Sequence, residues 1–125
     1  MNRFNKAKRL TNSKDFNEVF NAPQQQRSCD CYFTVLGHFY CNEEKPQKLR
    51  LGLVVAKKRV KLAVRRNRIK RIIRESFRTL DDSNLAKSCD LVVIARDKAD
   101  LAENQELFSS LNNHFKKFIE KSRDC

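Results

Sequence analysis

The spacing of apolar residues changes along the chain between the period of a helix and that of a strand. Near the N-terminus, Phe16, Val19 and Phe20 fall at positions i, i+3 and i+4, which place them on one face of a helix. The stretch that follows, residues 21–30, contains Pro23 and three consecutive glutamines. Because such a composition is typical of turns and loops, we expect a short helix followed by an exposed loop.

Three segments have the composition of strands. Residues 31–40 are rich in aromatic and β-branched side chains, and residues 48–56 alternate apolar with other residues at a period of two. The intervening residues 41–47 include Pro46 and suit a hairpin loop. Further along, residues 90–96 hold a continuous apolar run whose length and branching favour a buried strand.

Two more segments have a helical period. Residues 66–80 and the segment near the C-terminus each place their apolar residues on one stripe: Ile69, Ile72, Ile73, Phe77 and Leu80 in the first, and Leu107, Leu111, Phe115, Phe118 and Ile119 in the second. The predicted order is α-β-β-α-β-α, with a possible additional strand before the second helix. The strands on either side of helix 66–80 can lie parallel in one mixed sheet, with that helix as the crossover. We therefore predict an α/β sandwich of the α+β type that forms one domain over residues 1–125.

Positive charge is concentrated in one stretch of the chain. The chain has 27 Lys and Arg against 15 Asp and Glu, a formal net charge of +12. Residues 57–78 contain eleven basic residues and one acidic residue, Glu75, a difference of +10. A charge of this size suits a polyanionic partner, for which nucleic acid is the first candidate and an anionic membrane surface the second.

The basic residues of helix 66–80 form a face of their own. At about 100° per residue, the side opposite the apolar stripe carries Asn67, Lys70, Arg71, Arg74 and Arg78. Intrahelical ion pairs need acids three or four residues away, and Glu75 alone cannot supply them for so many cations. Cations at 65, 66 and 68 would also crowd the positive end of the helix dipole, where phosphate binds favourably. We interpret this face as a phosphate-binding surface rather than a solvated helix face.

Residues that would support catalysis by the chain alone are few. The two histidines, His38 and His114, are far apart in sequence, and we interpret both as surface or boundary residues rather than as an acid–base pair. The cysteines around the first predicted strand lack the paired spacing of a zinc site: Cys29, Cys31 and Cys41. With two glycines in the chain, a glycine-rich nucleotide loop is not possible. We predict no catalytic residue and no metal site in the chain itself.

The sequence also carries expectations about cellular location. No apolar run approaches the roughly 20 residues that span a bilayer, and the first ten residues are polar and basic. The five cysteines are an odd number without an export signal, which argues against a disulfide framework. We therefore expect a cytoplasmic protein with reduced thiols.

The basic segment resembles that of a known family. The run Lys57-Lys58-Arg59, followed by Ala63-Val64-Arg65-Arg66-Asn67-Arg68-Ile69-Lys70-Arg71-Ile72-Ile73-Arg74-Glu75-Ser76-Phe77-Arg78, is similar to the Arg-Asn-Arg helix of the protein component of bacterial ribonuclease P. The similarity extends to Arg9-Leu10, to the Phe16/Phe20 helix, to residues 51–56 and to the strand that ends at Ala95-Arg96. It covers most of the chain, apart from the loops and the last residues.

The resemblance implies a fold detail and an activity. The crossover through the basic helix would be left-handed, an exception to the usual right-handed preference. The chain would be the non-catalytic subunit of an endoribonuclease whose catalytic RNA removes the 5′ leader from precursor tRNA. Its partners would be that RNA and precursor tRNA, with no membrane and no small-molecule substrate, and Mg²⁺ would be bound mainly by the RNA.

The resemblance also implies two groups of site residues. Those facing the catalytic RNA would be Lys57, Lys58, Arg59, Arg65, Arg66, Asn67, Arg68 and Arg71. Those lining a cleft for the leader would be Phe16, Phe20, Lys70 and Arg74. A single-stranded leader can stack its bases on aromatic rings while its phosphates meet Lys and Arg. From the residues alone, core packing of the Phe16/Phe20 pair remains an alternative.

Two positions depart from the family pattern. Lys61-Leu62 stands where the family often has Gly-Asn, so the turn into the helix can differ in geometry. Leu36 stands where some members have an aromatic residue on the cleft strand, and Tyr32, Phe33 and Tyr40 are alternative rings on that strand. Besides the ribonuclease P subunit, two other classes were weighed: a different RNA-binding or ribosomal protein, and a stand-alone nuclease.

Overall fold

The structure is a computed structural model that describes residues 13–21, 25–40, 49–80 and 88–122. Its elements, in chain order, are α1 (Ser13–Phe20), β1 (Gln26–Cys29), β2 (Phe33–Tyr40), β3 (Leu49–Val54), α2 (Ala63–Arg78), β4 (Ser88–Ala95), a 3₁₀ turn (Asp97–Ala99) and α3 (Asn104–Lys121). The predicted α+β class and order of elements are confirmed, and β1 is the additional strand.

The four strands form one mixed sheet in the order β1-β2-β4-β3. Strand β2 pairs antiparallel with both β1 and β4. Strand β3 pairs parallel with β4, and Leu51 and Leu53 lie opposite Leu91 and Val93 in the register. Because α2 connects β3 to β4, the predicted parallel pair with a basic crossover helix is confirmed.

Two predictions about the strands were wrong. Residues 26–29 form β1, although we predicted a loop over 21–30. This edge strand is held by backbone hydrogen bonds to β2 on one side, so it needs no run of apolar side chains and leaves no pattern in the sequence. Strands β2 and β3 form no hairpin, because β4 lies between them. The connecting residues 41–47 lie outside the described residues.

The main core fills the space between one face of the sheet and helices α2 and α3. It combines alternate residues of β2, β3 and β4 with the apolar stripes predicted for both helices: Phe33, Val35, Leu51, Leu91, Val93, Ile69, Ile73, Phe77, Leu107, Leu111, Phe115 and Phe118. Each buried side chain of this size contributes about 1.5–3 kcal/mol of transfer free energy. The Phe77 ring meets the Phe115 ring edge-on, with centroids 6.0 Å apart, so the two helices are joined through the core.

Helix α1 covers part of the opposite face of the sheet. Val19 is fully buried there with Leu36 of β2 and Val92 of β4, and Phe16 and Ile94 pack at the edge of this smaller cluster. The sheet therefore separates α1 from α2 and α3. We call the side of the sheet covered by α1 the α1 face.

Candidate nucleic-acid interface

Helix α2 has the two sides that the sequence predicts. Ile69, Ile72, Ile73 and Phe77 are buried, whereas Asn67, Arg71 and Arg74 are exposed on the opposite side. The apolar side fixes the helix against the core and orients the basic side toward solvent. Within the part of the chain that the structure describes, six cationic side chains in and before α2 make no hydrogen bond or ion pair: Lys57, Lys58, Lys61, Lys70, Arg71 and Arg74.

The arginines at the start of α2 have partners within the protein. The N-cap position, Leu62, provides no side-chain hydrogen bond, and the first turn has no acidic residue. Arg66 instead folds back, and its Nη1 donates to the carbonyl oxygens of Val60 at 3.0 Å and Lys61 at 2.8 Å. This guanidinium therefore stabilises the turn into the helix, at the position where the chain departs from the family's Gly-Asn.

Arg68 connects α2 to the segment that precedes α3. Its Nη1 donates to Asn104 Oδ1 at 2.6 Å, and its Nη2 donates to the carbonyl oxygens of Asp100 at 3.1 Å and Ala102 at 3.0 Å. Arg65 Nη1 lies 3.6 Å from Asp100 Oδ1. In the sequence, Glu75 is the one acid within the basic segment available to these cations. The structure corrects this count, because the segment after β4 supplies further acceptors to the helix start.

Arg59 also has an acidic neighbour. Its Nη1 lies 3.3 Å from Asp97 Oδ1, and both side chains are largely exposed. An exposed pair of this kind contributes less than about 1 kcal/mol, so the guanidinium can exchange this partner for a phosphate. Of the eight residues predicted to face the catalytic RNA, Arg65, Arg66 and Arg68 thus hold the fold together as well, whereas Lys57, Lys58, Asn67 and Arg71 present exposed side chains.

The aromatic pair of α1 is partly buried and partly open. The Phe16 and Phe20 rings are nearly parallel, with centroids 6.5 Å apart and an interplanar angle of 21°. Phe16 packs against the cluster formed by Val19, Leu36 and Val92. Phe20 keeps 42% of its surface exposed. Core packing therefore accounts for the partial burial of the Phe16 side chain, while Phe20 offers a ring on which a base can stack.

The structure does not bring the four predicted leader residues together. Phe16 and Phe20 lie on α1, which covers one face of the sheet. Lys70 and Arg74 lie on α2, whose apolar side packs in the core on the other face. The leader-binding role of these residues stays a prediction.

Other cations line a cavity on the same side of the sheet as the aromatic pair. A cavity of about 780 Å³ opens beside β1 and the end of β4. Its lining includes four basic side chains, Arg27, Arg59, Arg96 and Lys98, and one acidic side chain, Asp97. Ile94 lines this cavity and also packs against the α1 cluster, so the cationic cavity and the aromatic pair adjoin on the α1 face. We call it the α1-face cavity.

Three of these cations were not predicted from the sequence: Arg27, Arg96 and Lys98. Arg27 is far in sequence from Arg96 and Lys98, and Asp97 separates the latter two, so the three form no basic run that charge counting within a window can find. Arg27 lies on a strand that we predicted as a loop. One feature of the sequence could have indicated a cation of this cavity, namely the position of Arg96 directly after a buried strand.

Of the alternative aromatic residues in and before β2, neither Tyr32 nor Phe33 lines this cavity. Phe33 is fully buried in the main core. Tyr32 packs against the same core, and its hydroxyl donates to Glu106 Oε2 at 2.6 Å, which raises the pKa of Tyr32 to about 12. Leu36 is buried under α1. The side chain of Tyr40 lies outside the described residues. Among these rings that the structure does describe, Phe20 is the most open to stacking.

His114 differs from its predicted surface or boundary position. It lies on α3 with 2% of its surface exposed, and its Nδ1 is 2.6 Å from Ser28 Oγ of β1. Its Nε2 lies 3.1 Å from Asp30 Oδ2, but the angle does not meet the geometry of a hydrogen bond. Burial lowers the pKa of His114, and the nearby Asp30 carboxylate opposes this effect. The prediction was wrong because a buried partner on β1 cannot be recognised from sequence.

Asp30 occupies the bend between β1 and β2. Its Oδ1 accepts hydrogen bonds from the backbone nitrogens of Tyr32 at 2.8 Å and Phe33 at 2.9 Å, and its Oδ2 accepts one from the Ser110 hydroxyl of α3. Although burial opposes it, these hydrogen bonds hold the pKa of Asp30 below its usual value. The histidine and carboxylate therefore fasten the edge strand to α3.

Two searches of the described residues bear on other kinds of site. None of the described His, Cys, Asp and Glu residues form a group of three or more suited to a metal ion. Among the described helices, none is long and apolar enough to cross a membrane.

The structure has a mixed four-stranded sheet, a basic crossover helix and a cationic cavity on the α1 face. These features define an α+β protein with two cationic regions. The family model described as Ribonuclease P matches residues 4–119 of the chain. The ribonuclease P protein component of Saccharophagus degradans is 40% identical over 120 residues, which cover 95% of this chain and 83% of the relative. That of Ectopseudomonas mendocina is 39% identical over 124 residues, which cover 98% and 87%.

Solved structures that are similar to this chain are also RNase P proteins. The RNase P protein of Staphylococcus aureus is 32% identical, with a TM-score of 0.73 over 90% of this chain and 96% of that one. The RNase P protein from Thermotoga maritima is also 32% identical, with a TM-score of 0.68 over 87% and 96%. The chain belongs to the ribonuclease P protein family. This membership assigns it to a tRNA-processing ribonucleoprotein and implies a partner RNA.

Proposed function

We propose that the chain binds the catalytic RNA of ribonuclease P and the 5′ leader of precursor tRNA, and that the RNA carries out the Mg²⁺-dependent cleavage. The observation that carries the proposal is the set of six cations in and before α2 that have no partner within the described residues. Three of them lie on the helix itself, whose other side is buried. Unpaired cations lose no internal partner when they meet phosphate, so their attraction to RNA is not offset by broken ion pairs.

The two regions would have different tasks. The exposed side of α2, together with Lys57 and Lys58, would contact the phosphates of the folded catalytic RNA. On the α1 face, Phe20 would stack with a leader base while the neighbouring cations bind its phosphates. Stacking on a ring tolerates every base, which suits an enzyme that processes many precursors. In this proposal Lys70 and Arg74 act with the α2 surface.

The metal ion belongs to the RNA in this proposal. The exposed side of α2 carries an excess of cations, and a cationic surface repels Mg²⁺ rather than coordinating it. Bound to RNA, the metal would supply the activated water and the stabilisation of the leaving oxygen. The chain's own residues would screen phosphate repulsion and orient the leader. The expected cytoplasmic location is part of the same proposal.

Binding to the catalytic RNA tests this proposal. Arg71→Ala combined with Arg74→Ala removes two exposed cations from α2, and Lys116→Ala with Lys117→Ala removes two exposed cations from α3 as a matched control. We expect the α2 variant to bind more weakly and its salt dependence to be shallower by about 0.7–0.9 per lost phosphate contact. The control should bind like wild type. Equal losses in both variants would show attraction by net charge without a defined α2 interface.

A further inference from the structure

The α1-face cavity contains thiols in addition to its cations. Cys29 is the last residue of β1, Cys31 follows in the bend, and both are exposed and line the cavity. Cys29 Sγ lies 3.4 Å from the hydroxyl oxygen of Thr34, its partner across the strand pair. An exposed thiol in a cationic cavity has the setting in which cysteines react, whereas a thiol in an apolar core is inert.

Arg96 is held against Cys29 by the backbone. Its Nη1 lies 3.1 Å from Cys29 Sγ and donates to the carbonyl oxygen of Asp30 at 2.6 Å. The backbone nitrogen of Arg96 donates to the carbonyl oxygen of Tyr32 at 2.8 Å. The guanidinium therefore holds a fixed positive charge at hydrogen-bond distance from the sulfur that would attack a disulfide.

The charge of the cavity selects the reagent. Arg27, Arg96 and Lys98 line it with Arg59, and the one acidic lining residue, Asp97, already contacts Arg59. This excess of positive charge concentrates small anions near the sulfur. Cys89 provides the internal contrast, because it is fully buried in the main core and burial raises the pKa of its thiol.

We propose that Cys29 is a modification site at which a small anionic disulfide forms a mixed disulfide with the protein. The Cys29 thiolate attacks one sulfur of the reagent, the reagent's S–S bond breaks, and a new S–S bond joins the reagent to Cys29. The departing sulfur takes the electron pair of the broken bond and the proton that Cys29 had lost, so the exchange needs no further oxidant.

The adduct would change the chemistry of the α1 face. It places carboxylates among Arg27, Arg96 and Lys98 and fills part of a cavity that shares Ile94 with the cluster under α1. Phosphate would then meet negative charge and an occupied cavity. Reversible loss of RNA affinity is the consequence, and this part rests on the proposed function, whereas the thiol reaction does not.

The first experiment measures the thiol reaction on the full chain. Cys31→Ser and Cys29→Ser variants are treated with oxidised glutathione, and intact mass with peptide fragmentation follows each cysteine over time. We expect Cys29 in the Cys31→Ser variant to react at least about five-fold faster than Cys31 in the Cys29→Ser variant. Cys89 should stay unmodified in both. Equal rates at the two positions, or no adduct on Cys29, would overturn the site.

Two comparisons isolate the physical cause. A neutral disulfide, hydroxyethyl disulfide, should show a smaller rate advantage for Cys29 than oxidised glutathione does, and this comparison needs no further variant. Arg96→Gln should slow the Cys29 reaction more than Arg27→Gln, which also removes one cavity charge but leaves the Arg96 hydrogen bond in place. Protection of Cys89 reports in both variants that the fold is intact. An unchanged rate in Arg96→Gln with Cys89 protected would contradict the role of the guanidinium.

The second experiment measures RNA affinity. Protein modified on Cys29 is compared with unmodified protein and with modified protein after reduction, using a single-stranded RNA at fixed salt. We expect about a ten-fold loss of affinity on modification and full recovery on reduction. Equal affinity of modified and unmodified protein would overturn the regulatory consequence. Failure of the unmodified protein to bind RNA would instead contradict the proposed function, while the mass measurement would still stand.

Discussion

Arg68 of α2 and Asn104 at the start of α3 are joined by a hydrogen bond of 2.6 Å from Nη1 to Oδ1. The same guanidinium also reaches the carbonyl oxygens of Asp100 and Ala102. In the sequence, Arg68 is one cation of a basic run, indistinguishable from its neighbours. In the structure it is a connection between the crossover helix and the segment that follows β4.

The first prediction concerns the stability provided by this connection. Arg68→Ala should lower the free energy of unfolding by about 1–3 kcal/mol, because a charged donor and its partly buried acceptors lose their hydrogen bonds. Arg71→Ala, on the exposed side of the same helix, should change it by less than about 0.5 kcal/mol. Urea denaturation of the two variants measures both values. Equal free energies of unfolding for the two variants would mean that the Arg68 contacts make no net contribution to stability.

The second prediction concerns the aromatic pair. Phe20→Leu keeps apolar bulk and removes the stacking face, so affinity for precursor tRNA in the reconstituted complex should fall by about five-fold or more while mature tRNA binds as before. Phe16→Leu, whose ring packs against the α1 cluster, should lower the melting temperature and affect the precursor-to-mature ratio less. A Phe20→Leu protein with an unaltered ratio and a lower melting temperature would identify the ring as core packing.

The third prediction is a dependence of stability on pH. Burial lowers the pKa of His114 below its ordinary value of 6.5, so the unfolded chain binds the proton more tightly than the folded one. The free energy of unfolding should therefore fall as pH drops below about 6.5, through the folded pKa. His114→Gln should flatten this dependence between pH 7 and 5. A variant with the same slope as wild type would exclude His114 as its source.

The parts of the molecule that were predictable are those with a local pattern. The alternation of Leu49, Leu51 and Leu53 located β3, and the stripe through Ile69 and Phe77 located α2 and its exposed basic side. Strand β1 was missed because its residues satisfy backbone hydrogen bonds without an apolar pattern. The expected hairpin was wrong because sequence proximity of β2 and β3 does not reveal that β4 lies between them.

In the candidate site, too, the features with a local sequence pattern were predictable and those assembled from distant segments were not. Charge counting found the α2 surface because its cations are consecutive in the chain. It could not show that Arg66 and Arg68 have internal acceptors, because the acceptors of Arg68 lie more than 30 residues away. Nor could it assemble the α1-face cavity, since Arg27 and Arg96 meet only through the pairing of β1, β2 and β4.

The central claim is that the unpaired cations of α2 let a catalytic RNA work at lower Mg²⁺. The most direct measurement is cleavage of precursor tRNA by the catalytic RNA across a Mg²⁺ titration, with wild type, with Arg71→Ala/Arg74→Ala, and with Lys116→Ala/Lys117→Ala. We predict that wild type and the α3 control shift half-maximal cleavage to lower Mg²⁺ and that the α2 variant shifts it less, because protein cations replace part of the metal screening. Protein alone should leave the precursor intact. Cleavage by protein without RNA, or an α2 variant that matches wild type across the titration, would contradict the account.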